Sequence, residues 1–160
     1  MMKTYIFRSI LLVLIMLKHV CQVGGIGGNG VGPSPVAFTA TLPLGNTPVS
    51  VGNRVKYNQV HCVTGNPPVY NLGTGIFTVP TGRAGVYSVS VSMMSGFQSS
   101  HLTMRKNGVV LVWLFTSNDY NMASQTVNVN LAEGDLIFVQ MNSGSSLFSV
   151  YNTFSAVKVA

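Results

Sequence analysis

From Val36 onward the apolar and polar positions alternate with a period of two, and no window carries the three-to-four spacing of a helix. Val86 to Met93 is the clearest case. Tyr87, Val89, Val91 and Met93 alternate with Ser88, Ser90 and Ser92, which predicts a strand with one apolar face. Val127, Val129 and Leu131 alternate with Thr126, Asn128 and Asn130 in the same way. Asn107-Gly108 can take positive φ at both positions, as a two-residue type I′ hairpin demands. Folding the chain there pairs Lys106 with Val109, Arg105 with Val110, Met104 with Leu111, Thr103 with Val112 and Leu102 with Trp113. On that register Leu102, Met104, Val109, Leu111, Trp113 and Phe115 share one face, which is expected to be core. Glu133-Gly134-Asp135 predicts the next turn, its acids capping backbone amides rather than performing chemistry. Many short strands parted by Gly, Pro and Asn clusters, with no helices between them, predict an all-β two-sheet sandwich or jelly roll.

Ahead of this region Lys3 and Arg8 precede an uninterrupted apolar run, Ile10 to Leu17, and the small residues Gly24 and Gly25 follow. This is the layout of a secretory signal peptide, assigned to residues 1–25. A bilayer-spanning helix needs about 20 apolar residues, so the run is too short for one and no membrane partner is expected. Residues 26–35 read as a Gly/Pro linker. Glycine recurs there at three-residue spacing only until Pro33, too briefly for a collagen stalk.

Charged residues make up 8% of the chain and apolar ones 47%, against about 25% charged in ordinary domains. Part of so uncharged a surface is expected to be covered by partner subunits. Loss of Lys3, Arg8 and Lys18 with the leader leaves six basic residues against Asp119, Glu133 and Asp135, so the formal charge falls from +6 to +3. The remaining Arg54, Lys56, Arg83, Arg105, Lys106 and Lys158 are scattered along the sequence, which argues against a nucleic-acid partner. With Cys21 inside or beside the leader, Cys62 is expected as the lone thiol of the mature chain, without an intrachain disulfide; its apolar neighbours Val60 and Val63 favour burial over a bridge between two chains.

Four segments carry a family resemblance: Val55-Lys56-Tyr57-Asn58-Gln59-Val60, then Tyr70-Asn71, then Thr74-Gly75-Ile76-Phe77-Thr78-Val79-Pro80, then Gly85-Val86-Tyr87. In this order they resemble the signature of the globular C1q domain. Leu102 to Asn107-Gly108, Leu131 to Val139 and Phe154-Ser155-Ala156 extend the resemblance to the C-terminus, with Ala156 in place of the usual Gly. The resemblance assigns residues 36–160 to a globular C1q domain. It implies a ten-strand jelly-roll β-sandwich of the C1q/tumour necrosis factor type, extracellular, and assembled as a homotrimer around an apolar axis.

Catalytic chemistry is not expected. His61 and His101 are the available bases, but no Gly-x-Ser-x-Gly elbow accompanies them, and His61 beside Cys62 on one strand points the other way. Three acids are too few for a calcium site, with Asp119 the one candidate ligand, so neither a metal nor a cofactor is expected. No Asn-x-Ser/Thr sequon occurs. Ligand recognition would fall to loops held by the sheets. Arg83, Arg105 and Lys106 are candidates for an acidic ligand, since a guanidinium holds phosphate or carboxylate through paired hydrogen bonds. Asn118, Asp119 and Tyr120 form a polar loop suited to sugar, by hydrogen bonds and ring stacking. The leading expectation is a secreted trimeric recognition protein of pattern-recognition or lectin-like type. A structural component of an extracellular matrix and a tumour necrosis factor-like signalling ligand are the alternatives, because one scaffold hosts several functions.

Overall fold

The computed structural model describes residues 35–65 and 67–160; the leader and most of the linker read from the sequence lie outside these residues. The described chain forms β1 (Ala37–Thr41), β2 (Asn46–Pro48), β3 (Gln59–Val63), β4 (Tyr70–Asn71), β5 (Ile76–Thr78), β6 (Gly85–Met94), β7 (Ser100–Lys106), β8 (Val109–Thr116), β9 (Met122–Leu131), β10 (Leu136–Ser143), β11 (Ser146–Phe148) and β12 (Thr153–Lys158), with one 3-10 turn, Ser149–Tyr151. Two five-stranded sheets, ordered β3-β1-β12-β6-β9 and β4-β5-β10-β7-β8, face each other, and β2 pairs with β11 beside them. All strand pairs are antiparallel. The ten strands of the two sheets are the all-β jelly roll that the sequence predicted. Among the described residues no helix is long and apolar enough to cross a membrane.

The core is made where the alternation points inward. Tyr87, Val89, Val91 and Met93 of β6 are buried, and Ser88, Ser90 and Ser92 turn outward. Tyr57, Tyr70, Phe77, Tyr87 and Phe154, all from the motif segments, join Phe38 in one aromatic cluster. Phe38 and Tyr70 stack with centroids 4.5 Å apart, a geometry that adds to the area each ring buries. The Tyr57 amide donates to the Tyr70 hydroxyl (3.1 Å), and burial pushes both phenols well above their ordinary range. Gly75 of the Thr-Gly step has φ +70°, and a Cβ there would stand 2.6 Å from the Val55 carbonyl oxygen. Only glycine fits so close an approach in the left-handed region.

Two expectations are corrected. Asn107 and Gly108 have positive φ (51° and 89°) as foreseen, and Lys106 faces Val109 and Arg105 faces Val110. A β-bulge then leaves Leu111 without a partner, so Met104 faces Val112, Thr103 faces Trp113 and Leu102 faces Leu114. The slip reverses the inward and outward positions beyond it. Leu114 is buried, whereas Trp113 is 51% and Phe115 63% exposed; neither these two nor Val109 belongs to the core. The second correction concerns Cys62, which is disulfide-bonded and half-buried rather than a buried lone thiol. It lies opposite Thr39, which alternates with buried Phe38 and Ala40, so its sulfur points to the outer side of the sheet.

Candidate functional site

Residues 52–55 run beside β10, past the end of β5. The Gly52 amide donates to the Met141 carbonyl (2.8 Å), the Met141 amide to Asn53 (3.0 Å) and the Val55 amide to Val139 (2.9 Å). In this extended stretch Val55 and Tyr57 enter the core, which by the period of two sends Arg54 and Lys56 outward. Arg105 on β7 pairs with Phe138 of β10, and Arg54 bridges to Gln140 of the same strand. The three cations therefore converge around β10. They line an open cleft of about 760 Å³ with Asn58, Phe138 and Gln140.

The guanidinium groups are positioned by neutral neighbours. Arg54 sits over the Phe138 ring, 5.0 Å from its centroid, a cation–π placement that leaves its N–H edge available. Arg105 donates from Nε to Thr103 Oγ1 (3.0 Å) and from Nη1 to the Gly108 carbonyl (2.9 Å). Arginine has five N–H donors, so the rest of its fork remains for a ligand. Among the described residues neither Arg54, Lys56 nor Arg105 has an acidic partner in an ion pair. This arrangement suits an anion.

The six residues singled out in the sequence occupy three places. Arg105 lines the cleft. Lys106 turns instead to the β9–β10 turn, where Nζ pairs with Asp135 Oδ2 (2.8 Å) and donates to the Asn130 carbonyl (3.1 Å). Asp135 also accepts from Asn107 Nδ2 and from the Ala132 amide, each at 2.7 Å. The Lys106 bond, aided by these donors, holds the Asp135 carboxyl below its usual range. Glu133 accepts from the Gly82 amide (2.7 Å), so the acids of this turn bond backbone amides as expected. Arg83 is nearby, half-buried, its carbonyl accepting the Tyr87 hydroxyl (2.6 Å). It lines a recess of about 270 Å³ with Lys158, Pro35 and Ala160.

Asn118, Asp119 and Tyr120 lie in the β8–β9 loop at the opposite pole, separated from the Lys106 turn by the length of β8, roughly 26 Å. The Asn118 carbonyl accepts from Ser95 Oγ (2.7 Å). Tyr120 has φ 51°, and its ring meets Phe97 and Phe148. Arg54 and Lys56 escaped selection because cations separated by some 50 residues from Arg105 look scattered until the sheet is assembled. Their one local signal was their alternation with the apolar Val55 and Tyr57.

The described residues bring no three His, Cys, Asp or Glu side chains together to hold a metal ion. In comparison with known families, the C1q domain matches residues 37–156. No curated protein matches the chain. Among solved structures, the globular domain of zebrafish complement 1qA protein is similar at a TM-score of 0.62 and 16% identity, over 79% of this chain and 98% of that one. Eiger TNF from S. frugiperda is similar at 0.60 and 17% identity, covering 79% and 93%. Murine APRIL gives 0.57 and 18%, covering 79% and 100%. At such identities these structures speak for the fold.

Proposed function

The chain belongs to the C1q domain family, and on that footing we propose that it is a secreted, homotrimeric recognition protein of the pattern-recognition type. It binds rather than catalyses, and it takes an acidic ligand, such as an anionic surface glycan, in the cleft of Arg54, Lys56 and Arg105. The observation that carries this reading is the convergence of three cations, none with an acidic partner among the described residues, around β10. Uncompensated guanidinium groups on a rigid sheet are pre-organised for carboxylate, sulfate or phosphate. Arg83, at the neighbouring pole, adds positive potential that steers such a ligand without contacting it, whereas the charge of Lys106 is offset by Asp135.

Trimer formation has support of its own. β1, β6 and β9 contain no charged residue, and the outer face of their sheet is lined with small hydroxyls. Ser90 shares a hydrogen bond with Thr126 (2.8 Å), and Ser92 with Thr153 (2.7 Å). A flat, uncharged surface of short side chains lets a second subunit approach closely, and three linked clefts turn weak single sites into avidity. The likeness to Eiger and APRIL bears on architecture alone and gives a signalling ligand no separate support.

Retention on heparin resin tests the cleft. The native protein should bind and elute with salt, as exposed charge contacts do. Arg54→Ala combined with Arg105→Ala should weaken binding by about tenfold or more, and Arg83→Ala much less. Equal loss from all three positions would mean diffuse charge rather than a site.

A further inference from the structure

The pole opposite Arg83 carries a run of aromatic rings at the surface. Phe97 and Tyr120 meet edge to face with centroids 6.2 Å apart, Tyr120 and Phe148 at 5.1 Å, and Phe148 and Tyr151 lie nearly parallel at 6.3 Å. Phe97 is 68% exposed, Tyr151 49% and Tyr120 42%. An apolar patch that stays in water instead of joining the core marks a binding surface. We infer that this pole is a second ligand site, separate from the cationic cleft, and that its ligand is a neutral oligosaccharide stacked along Phe97, Tyr120, Phe148 and Tyr151.

Three observations carry the assignment. The first is chemical. The loops that form the pole, residues 95–99, 117–122 and 144–152, contain a single charged residue, Asp119, and no cation. A phosphate, a sulfate or an anionic lipid headgroup would find no counter-charge there. The polar neighbours are instead the side chains of Gln98, Asn118 and Asn121, amides that offer donors and acceptors together. Sugar hydroxyls require that mixture, while the C–H face of a pyranose requires flat apolar rings.

The second observation is rigidity. Tyr120 and Ser149 have positive φ, 51° and 60°, a conformation that non-glycine residues adopt at a cost and that concentrates at ligand-binding positions. Each is held by its surroundings. The Tyr120 amide donates to the Gly96 carbonyl (3.2 Å) and the Asn118 carbonyl accepts from Ser95 (2.7 Å). Buried Asn152 donates from Nδ2 to the carbonyls of Phe148 (2.7 Å) and Ser149 (3.2 Å), fixing the turn that carries Phe148 and Tyr151. Rings fixed in advance lose little entropy on binding. The third observation is position. Pro35 and Ala160, which bound the described residues, share the recess with Arg83, at the pole opposite the rings.

The full chain can be tested by saturation-transfer NMR against three neutral probes, chitohexaose, laminarihexaose and α-mannohexaose, with phosphatidylcholine vesicles as the lipid control. Transfer to at least one hexasaccharide is expected. Phe97→Ala and Tyr151→Ala, both at exposed positions, should each weaken it roughly five- to tenfold with an unchanged melting temperature. The Arg54→Ala, Arg105→Ala double variant should leave it intact, which keeps this site distinguishable from the acidic-ligand cleft. No transfer from any of the three sugars would overturn the proposal. Equal transfer by the aromatic variants would do the same, as would vesicle binding in place of sugar binding. A change in oligomeric size caused by Phe97→Ala, without loss of sugar binding, would reassign the pole to contact between subunits.

Discussion

At the residue scale, the signature positions divide into two sets with different duties. Tyr57, Tyr70, Phe77, Tyr87 and Phe154 are core, which is why a motif spread over a hundred residues identified a fold. The outward partners in the same stretch, Arg54 and Lys56, make the cleft, and a motif built on packing says nothing about them. The candidate site was therefore legible only in part: Arg105 was found by its place beside a turn, whereas Arg54 and Lys56 needed the sheet. Asp135 illustrates how one side chain can be read correctly and still do more than expected. It caps Ala132, accepts from Asn107 and pairs with Lys106, tying two turns together. Because these donors lower its folded-state pKa, the stabilisation is complete above the unfolded value, about 3.9, and is lost as pH falls through the folded one. Asp135→Asn should cost about 2 kcal/mol at neutral pH. The two melting curves should converge as acid protonates Asp135; a difference undiminished in acid would contradict the assignment.

At the element scale, the inward and outward faces of strands with strict alternation were legible, as β6 shows, while those of β8 were not. Val109 to Phe115 is apolar at every position, so no polar residue marks which side faces out, and one unpaired residue, Leu111, goes unseen. The turn fixed the first two pairs and the bulge undid the rest. Truncations should expose the true register. Leu114→Ala should cost about 3 kcal/mol, and Phe115→Ala less than about 1 kcal/mol, as read by chemical denaturation. The opposite ranking would restore the unslipped hairpin. The sole tryptophan lies on the same outward side as Phe115, tilted against His101 at 4.7 Å, so its emission should be open to acrylamide.

At the scale of the whole molecule, low charge pointed to covered surface without saying where, and the outer face of the β6 sheet is where charge is missing. Ser90→Arg would place a cation in the middle of that face without touching the core. If the proposed trimer packs through this face, light scattering should report a monomer for the variant, with a far-ultraviolet spectrum unchanged; a variant that stays trimeric would move the subunit contact elsewhere. The two ends of the described residues add a practical consequence. The Ala160 carbonyl accepts from the Val86 amide (2.8 Å) and the Val36 carbonyl from the Lys158 amide (3.0 Å), so entry and exit of the domain are laced together. An affinity handle fused behind Ala160 would grip the protein by its back, and a chip coated this way would display the aromatic tip to whatever flows past.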